Sequence, residues 1–131
     1  MPTVQIEVRQ QYSHADEEQL LDCVFQCVKN AFQLSDYDRN IRLVVHEAHR
    51  FQYMTHRAQP EYFTLISIDC FAGRSLETKR KLYQQIVESL GKLGIPSDHI
   101  LIHLWESPLE NWGIRGGQVA CDVNLGFNVE I

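Results

Sequence analysis

The sequence predicts an α/β domain: two β-α-β repeats forming a four-stranded, mainly parallel sheet with two helices on one face. Three observations predict it. Two segments carry apolar residues at helical three-and-four spacing, strand-like segments flank each of them, and the second half of the chain repeats the element order of the first. The 131 residues fit one domain, 1–131, with repeats of about 1–60 and 61–131 and no room for a second independent core.

Residues 3–8 alternate, with Val4, Ile6 and Val8 on one face and Thr3, Gln5 and Glu7 on the other, the period of a half-buried strand. A polar turn over 10–18 leads into a helix starting at Asp16, where Leu20, Leu21, Val24, Phe25, Val28, Ala31 and Phe32 form the apolar stripe. Asp16, Glu17 and Glu18 suit the positive end of its dipole. After a turn-rich break, Ile41–Glu47 reads as a second strand, and the polar stretch 48–61 holds a short extended piece near Tyr53. Tyr62–Phe71 is β-branched and aromatic, a third and central strand. Ser75 is the expected N-cap of the second helix, whose stripe is Leu82, Ile86, Leu90 and Leu93; Gly94 and Pro96 end it. His99–Glu106 is the fourth strand, and Gln118–Val123 a short last one after a loop.

A shift of 59 residues sets Ile41–Glu47 on Ile100–Glu106, Val4 and Ile6 on Phe63 and Leu65, and Asp16 on Ser75. Right-handed crossovers put each helix on the same side of the sheet. The other side has nothing left in the chain to cover it, so an oligomer packing sheet faces together is expected.

A formal net charge of −5 argues against nucleic-acid binding, which needs a basic face. No apolar run approaches the roughly 20 residues of a membrane span, and MPTVQIEV lacks the features of a signal peptide; a reduced, cytoplasmic protein is the expectation. Cys23 and Cys27 share a helix face without nearby Cys or His partners, which favours core burial over zinc. His46/His49 and His99/His103 do not make a metal pattern either, since i,i+4 residues of a strand stand about 13 Å apart. No metal or cofactor is expected. Gly116–Gly117 is a turn, not a phosphate loop.

Proline directly after Met1, the PxVxIxV first strand, the β-α-β-β-α-β order and the phrase FAGRSLETKRKLY at 71–83 together resemble the tautomerase superfamily. SDYDR at 35–39 and ENWG at 110–113 resemble its long-chain branch, which includes malonate semialdehyde decarboxylase. The resemblance covers nearly the whole chain and implies a tautomerase-type fold, a homotrimer and an active site around the amino-terminal proline.

Removal of Met1 would leave Pro2 as a secondary amine. An α-amino group titrates near about 7.7–8.0, and burial or a nearby arginine lowers that value by disfavouring the cation. Such an amine is a general base matched to neutral pH; the plain alternative is a proline that starts a strand. Arg74 follows a helix-entry glycine, where a guanidinium and helix N–H groups suit a carboxylate. The resemblance implies that Arg74 binds the substrate carboxylate and polarises its carbonyl. It gives Asp38 a role near the proline and a water, although aspartate is also an ordinary turn residue. It makes Trp112 a wall of the pocket, with Arg115 a weaker second cation. The decarboxylase carries another arginine two residues before the one matching Arg74; here Ala72 stands there.

The expected activity is therefore cofactor-independent tautomerisation between enol and keto forms of a small 2-oxo acid, with Pro2 moving the proton. One alternative is decarboxylation or hydration of a small 3-oxo acid, which Asp38 favours and Ala72 opposes. The other is a non-catalytic oligomeric binding module of the same fold.

Overall fold

The computed structural model describes residues 2–9, 12–54 and 56–131, so Met1, and with it the question of its removal, lies outside the described residues. The elements are β1 (Thr3–Val8), α1 (His14–Phe32), β2 (Ile41–Val45), β3 (Thr64–Phe71), α2 (Leu76–Gly91), β4 (Ile100–Ser107), β5 (Gly113–Ile114) and β6 (Gln118–Val119). The main sheet has the order β2-β1-β3-β4. The outer pairs, β1/β2 and β3/β4, are parallel, as β-α-β units require, and the central β1/β3 pair is antiparallel. The expected two-layer architecture is therefore present: a mixed sheet with both helices on one face.

One apolar layer unites the halves. Val4, Ile6 and Val8 of β1 and Ile66, Ile68 and Cys70 of β3 pack under Leu20, Val24 and Val28 of α1 and Leu82, Ile86 and Leu90 of α2. Cys27 is buried and Cys23 half-buried against this layer, as the shared helix face predicts. Both helices start at a serine cap: Ser13 Oγ accepts the Asp16 N–H and Ser75 Oγ the Thr78 N–H. Helix α1 thus begins at His14, two residues before the sequence-based start, because Ser13 supplies the cap. The caps stand 62 residues apart, as do Val4 and Ile66 on the core face, so in the structure the repeats align at 62 through their first strand and helix rather than at 59.

Other differences are local. Tyr62 belongs to a short 3-10 turn, and β3 starts at Thr64; His99 likewise lies in a turn before β4. Tyr53 lies outside any strand. The last strand shrinks to Gln118–Val119, paired only with Gly113–Ile114, because the chain turns again at 120–122. His99 is buried and accepts the Gln59 N–H at Nε2 while Nδ1 faces Asp98, whereas His103 lies against Trp105 at 4.7 Å. No helix among the described residues is long and apolar enough to cross a membrane.

The opposite sheet face stays open in the single chain. Trp105 is 61% exposed and Leu101 41%, alongside Ser67 and Asp69 of β3 and Gln5 and Glu7 of β1.

Tyr12, just after β1, packs on the main core and buries its hydroxyl with no partner among the described residues. Burial first, then the charges of Tyr62 and Asp16, raise its pKa from 10.0 to about 12. The folded state therefore holds this proton more tightly than the unfolded chain. The resulting stability is fully present below pH 10.0 and is lost as pH rises to about 12. In an alkaline titration followed by circular dichroism, Tyr12→Phe should move the unfolding midpoint to higher pH. An unchanged midpoint would remove Tyr12 as the trigger.

Candidate active site

The antiparallel centre of the sheet has one consequence for function: β1 and β2 start at the end where β3 and β4 finish. Pro2, the turn before β2, the β3–α2 turn and the loop after β4 therefore converge. Pro2 is buried and immediately precedes Thr3, which pairs with Asp69 and donates from Oγ1 to Asp69 Oδ2 at 3.2 Å. Across the next ladder, Cys70 pairs with Glu106.

Arg74 is the dominant charge at this end and is only 5% exposed. Its Nη1 donates to the Phe71 carbonyl at 2.9 Å, and its guanidinium lies 4.2 Å from the centroid of the Phe32 ring. Nε and Nη2 are buried without a partner among the described residues. Burial lowers the pKa of Arg74, with Cys70 and Glu106 opposing. The same burial pushes the Cys70 thiol up to about 11, so it stays protonated beside the arginine. Two unsatisfied donors on one side of a guanidinium make a fork for a carboxylate, and their desolvation strengthens any such bond.

The carboxy-terminal segment closes over this arginine. Phe127 stacks on Phe71 at 6.3 Å and lies 5.9 Å from the Arg74 guanidinium. The Ile131 carbonyl accepts Ser75 Oγ at 3.0 Å and also accepts Thr78 Oγ1. Gly73 is required here twice over: its φ is +134°, and a Cβ would stand 2.8 Å from the Val129 carbonyl oxygen. Sequence patterning missed this segment, since 124–131 has neither period; the glycine before Arg74 was the available signal. Beside it, Lys79 Nζ donates to Glu106 at 2.6 Å, a pairing that raises the lysine pKa.

Asp38 is half-exposed at the end of the short 3-10 turn Asp36–Asp38, two residues before Asn40, whose carbonyl accepts the Val4 N–H. Its carboxylate accepts Ser35 Oγ at 3.3 Å, while Arg39 turns away to Asp22 at 2.9 Å and the Phe25 ring. Trp112 stands edge-on to Phe71 at 4.9 Å and donates from Nε1 to Ser107 at 2.7 Å. Phe71, Ile114 and Ala120 form a small second core there. Arg115 is exposed, and its Nη1 donates to the Asn124 carbonyl at 2.7 Å, tying the hairpin to the carboxy-terminal segment. Pro2, Asp38, Arg74 and Trp112 thus belong to elements meeting at one sheet end, with Arg115 on its outer side.

A cavity of about 480 Å³ lies at the opposite end between Tyr12, Tyr62 and Lys92. It collects both charges and neither Pro2 nor Arg74, so the chemistry is sought where the proline and the desolvated arginine are. Among the described residues, no group of three or more His, Cys, Asp or Glu is placed to hold a metal ion.

Known proteins share this layout. A native fused 4-OT is 22% identical, with a TM-score of 0.81 covering 95% of this chain and 98% of that one. Pt0534 inactivated by 2-oxo-3-pentynoate is 20% identical, with a TM-score of 0.82 over 92% and 97%. A malonate semialdehyde decarboxylase is 18% identical, with a TM-score of 0.80 over 89% and 93%. At such identities these structures establish the fold alone. The sequence itself matches the family described as Tautomerase enzyme over residues 38–115, which span Asp38, Arg74, Trp112 and Arg115. With that match covering more than half of its length, this chain belongs to the tautomerase enzyme family.

Proposed function

We propose that this protein is a cofactor-independent tautomerase that interconverts the enol and keto forms of a small 2-oxo acid, with Pro2 as general base. The observation that supports the reading is that the buried Pro2 and Arg74, whose buried guanidinium keeps two donors without a partner among the described residues, lie at the same end of the sheet. In enolisation, the neutral Pro2 nitrogen takes a proton from the carbon next to the carbonyl. The bonding pair moves into the new C=C bond, and the carbonyl electrons move onto oxygen. Arg74 holds the carboxylate and offers positive charge where the oxygen gains it. A proton from solvent water then completes the enol hydroxyl, and Pro2 releases its proton to solvent; the reverse sequence ketonises the enol. Trp112 walls the apolar side, Asp38 orients Pro2 or a water, and Arg115 adds positive charge at the rim. Saturable ketonisation of phenylenolpyruvate, by protein whose intact mass lacks Met1, tests the reading; absence of turnover sinks it.

Asp38 at the same end supports a second reading, decarboxylation or hydration of a small 3-oxo acid. Ala72 removes one cation that the decarboxylase pattern carries there, and this favours the tautomerase. Preferred turnover of malonate semialdehyde over phenylenolpyruvate would reverse that order.

The open sheet face supports a homotrimer. Trp105 projects from it on the edge strand β4, and an acidic residue there would have to be desolvated against a neighbouring sheet. Trp105→Asp should convert a trimer to monomers in sedimentation velocity with the far-ultraviolet spectrum retained. A wild-type monomer at micromolar concentration would overturn the assembly.

A further inference from the structure

At the other end of the sheet, β1 runs out at Arg9, β2 runs into the 46–53 segment, and the chain enters β3 through Pro60–Tyr62. A cavity of about 310 Å³ opens there, lined by Arg9, Ala48, His49, Gln52, Tyr53 and Pro60. Two lining side chains bury a donor with no partner among the described residues, Arg9 at Nε and Tyr53 at its hydroxyl. Both rest on one fully buried ring: the Arg9 guanidinium lies 5.9 Å from the Phe63 centroid, and Tyr53 stands edge-on to Phe63 at 5.1 Å. Among the described residues no carboxylate lines the cavity, and Glu47 pairs with His49 at 3.6 Å. Burial raises the Tyr53 pKa, against a smaller opposing effect of Arg57, so the hydroxyl remains a donor.

The Pro2 end has related residue types, a buried phenylalanine, Phe71, with Trp112 edge-on to it, and a buried arginine with free donors, although Arg74 lies over Phe32 rather than Phe71. Pro60 is internal to the chain, so its nitrogen is an amide and cannot accept a proton.

We propose that this cavity is a second, non-catalytic site that binds a small organic carboxylate. Arg9 presents a planar fork to the carboxylate, and Tyr53 and Gln52 add neutral donors. One full cation with neutral donors suits a carboxylate better than a phosphate, whose extra charge calls for more than a single guanidinium. The volume equals roughly ten water-sized spaces, enough for a short monocarboxylate. This assignment does not rest on the Pro2 chemistry.

The test is a titration of the ¹⁵N-labelled protein with propionate, followed at the Arg9 side-chain Nε–H. A saturable shift is expected, with affinity weakened about tenfold in Tyr53→Phe, which keeps the ring on Phe63, and further in Arg9→Gln. Phosphate should bind more weakly than propionate. In the Pro2→Ala protein the Arg9 shift should persist unchanged, which separates the two ends of the sheet. No saturable shift at Arg9, equal affinity in wild type and Tyr53→Phe, or tighter binding of phosphate would each overturn the assignment.

Discussion

Pro2→Ala, on protein freed of Met1, should lose about 10²- to 10⁴-fold in ketonisation of phenylenolpyruvate, the range that a positioned general base supplies. Alanine still leaves an amine at the terminus, so the effect tests position as well as basicity. The pyrrolidine ring fixes the direction of the nitrogen, and burial at the head of β1 holds the ring in place. A primary amine there rotates freely. The substitution touches no hydrogen bond of the sheet, since the ladder begins at Thr3, so the thermal midpoint should hardly move. Protein that keeps Met1 should be as inactive as the variant, because its Pro2 nitrogen is an amide. Equal activity in wild type and variant would remove Pro2 from the mechanism and favour the binding-module alternative.

Arg74→Met should raise KM for an anionic enol, cutting kcat/KM by roughly 10- to 100-fold, as expected for losing hydrogen bonds to a charged group. Methionine fills most of the arginine stem but carries no charge. Its effect on stability should be small, within about 1–2 kcal/mol, because two changes oppose each other. The Phe71 carbonyl loses a donor, while a desolvated charge with two unpaired nitrogens is removed. The competing possibility is that Arg74 only braces the β3–α2 turn. That role predicts the reverse pattern, a large drop in thermal midpoint with KM unchanged, and this outcome would end its assignment to the substrate.

Much of the fold is legible in the chain because the relevant signals are periodic and local. Val4, Ile6 and Val8 alternate, Leu82, Ile86 and Leu90 recur by turns, and each is fully or almost fully buried in the structure. Boundaries were less legible where capping competes with the apolar stripe: α1 starts at His14 because Ser13 caps it, whereas the first acidic residue, Asp16, marks only the dipole. Strand β5 and the last eight residues escaped because β5 spans two residues and 124–131 has no repeat.

For the candidate site, the residues were readable one at a time and their meeting was not. Proline after the initiator, an arginine after a helix-entry glycine and an aspartate in a turn are all visible in the order of residues. By itself, the sequence determined the two β-α-β units, the apolar face each presents, and the residue types available for chemistry. Only the tertiary structure decided that the two units join antiparallel through β1 and β3. That pairing brings the start of β1 and the end of β3 together and lets the carboxy-terminal segment bury Arg74 with two donors free. The physical reason is range: periodicity and capping act over a few residues, whereas strand orientation and the desolvation of one guanidinium depend on surfaces far apart in the chain.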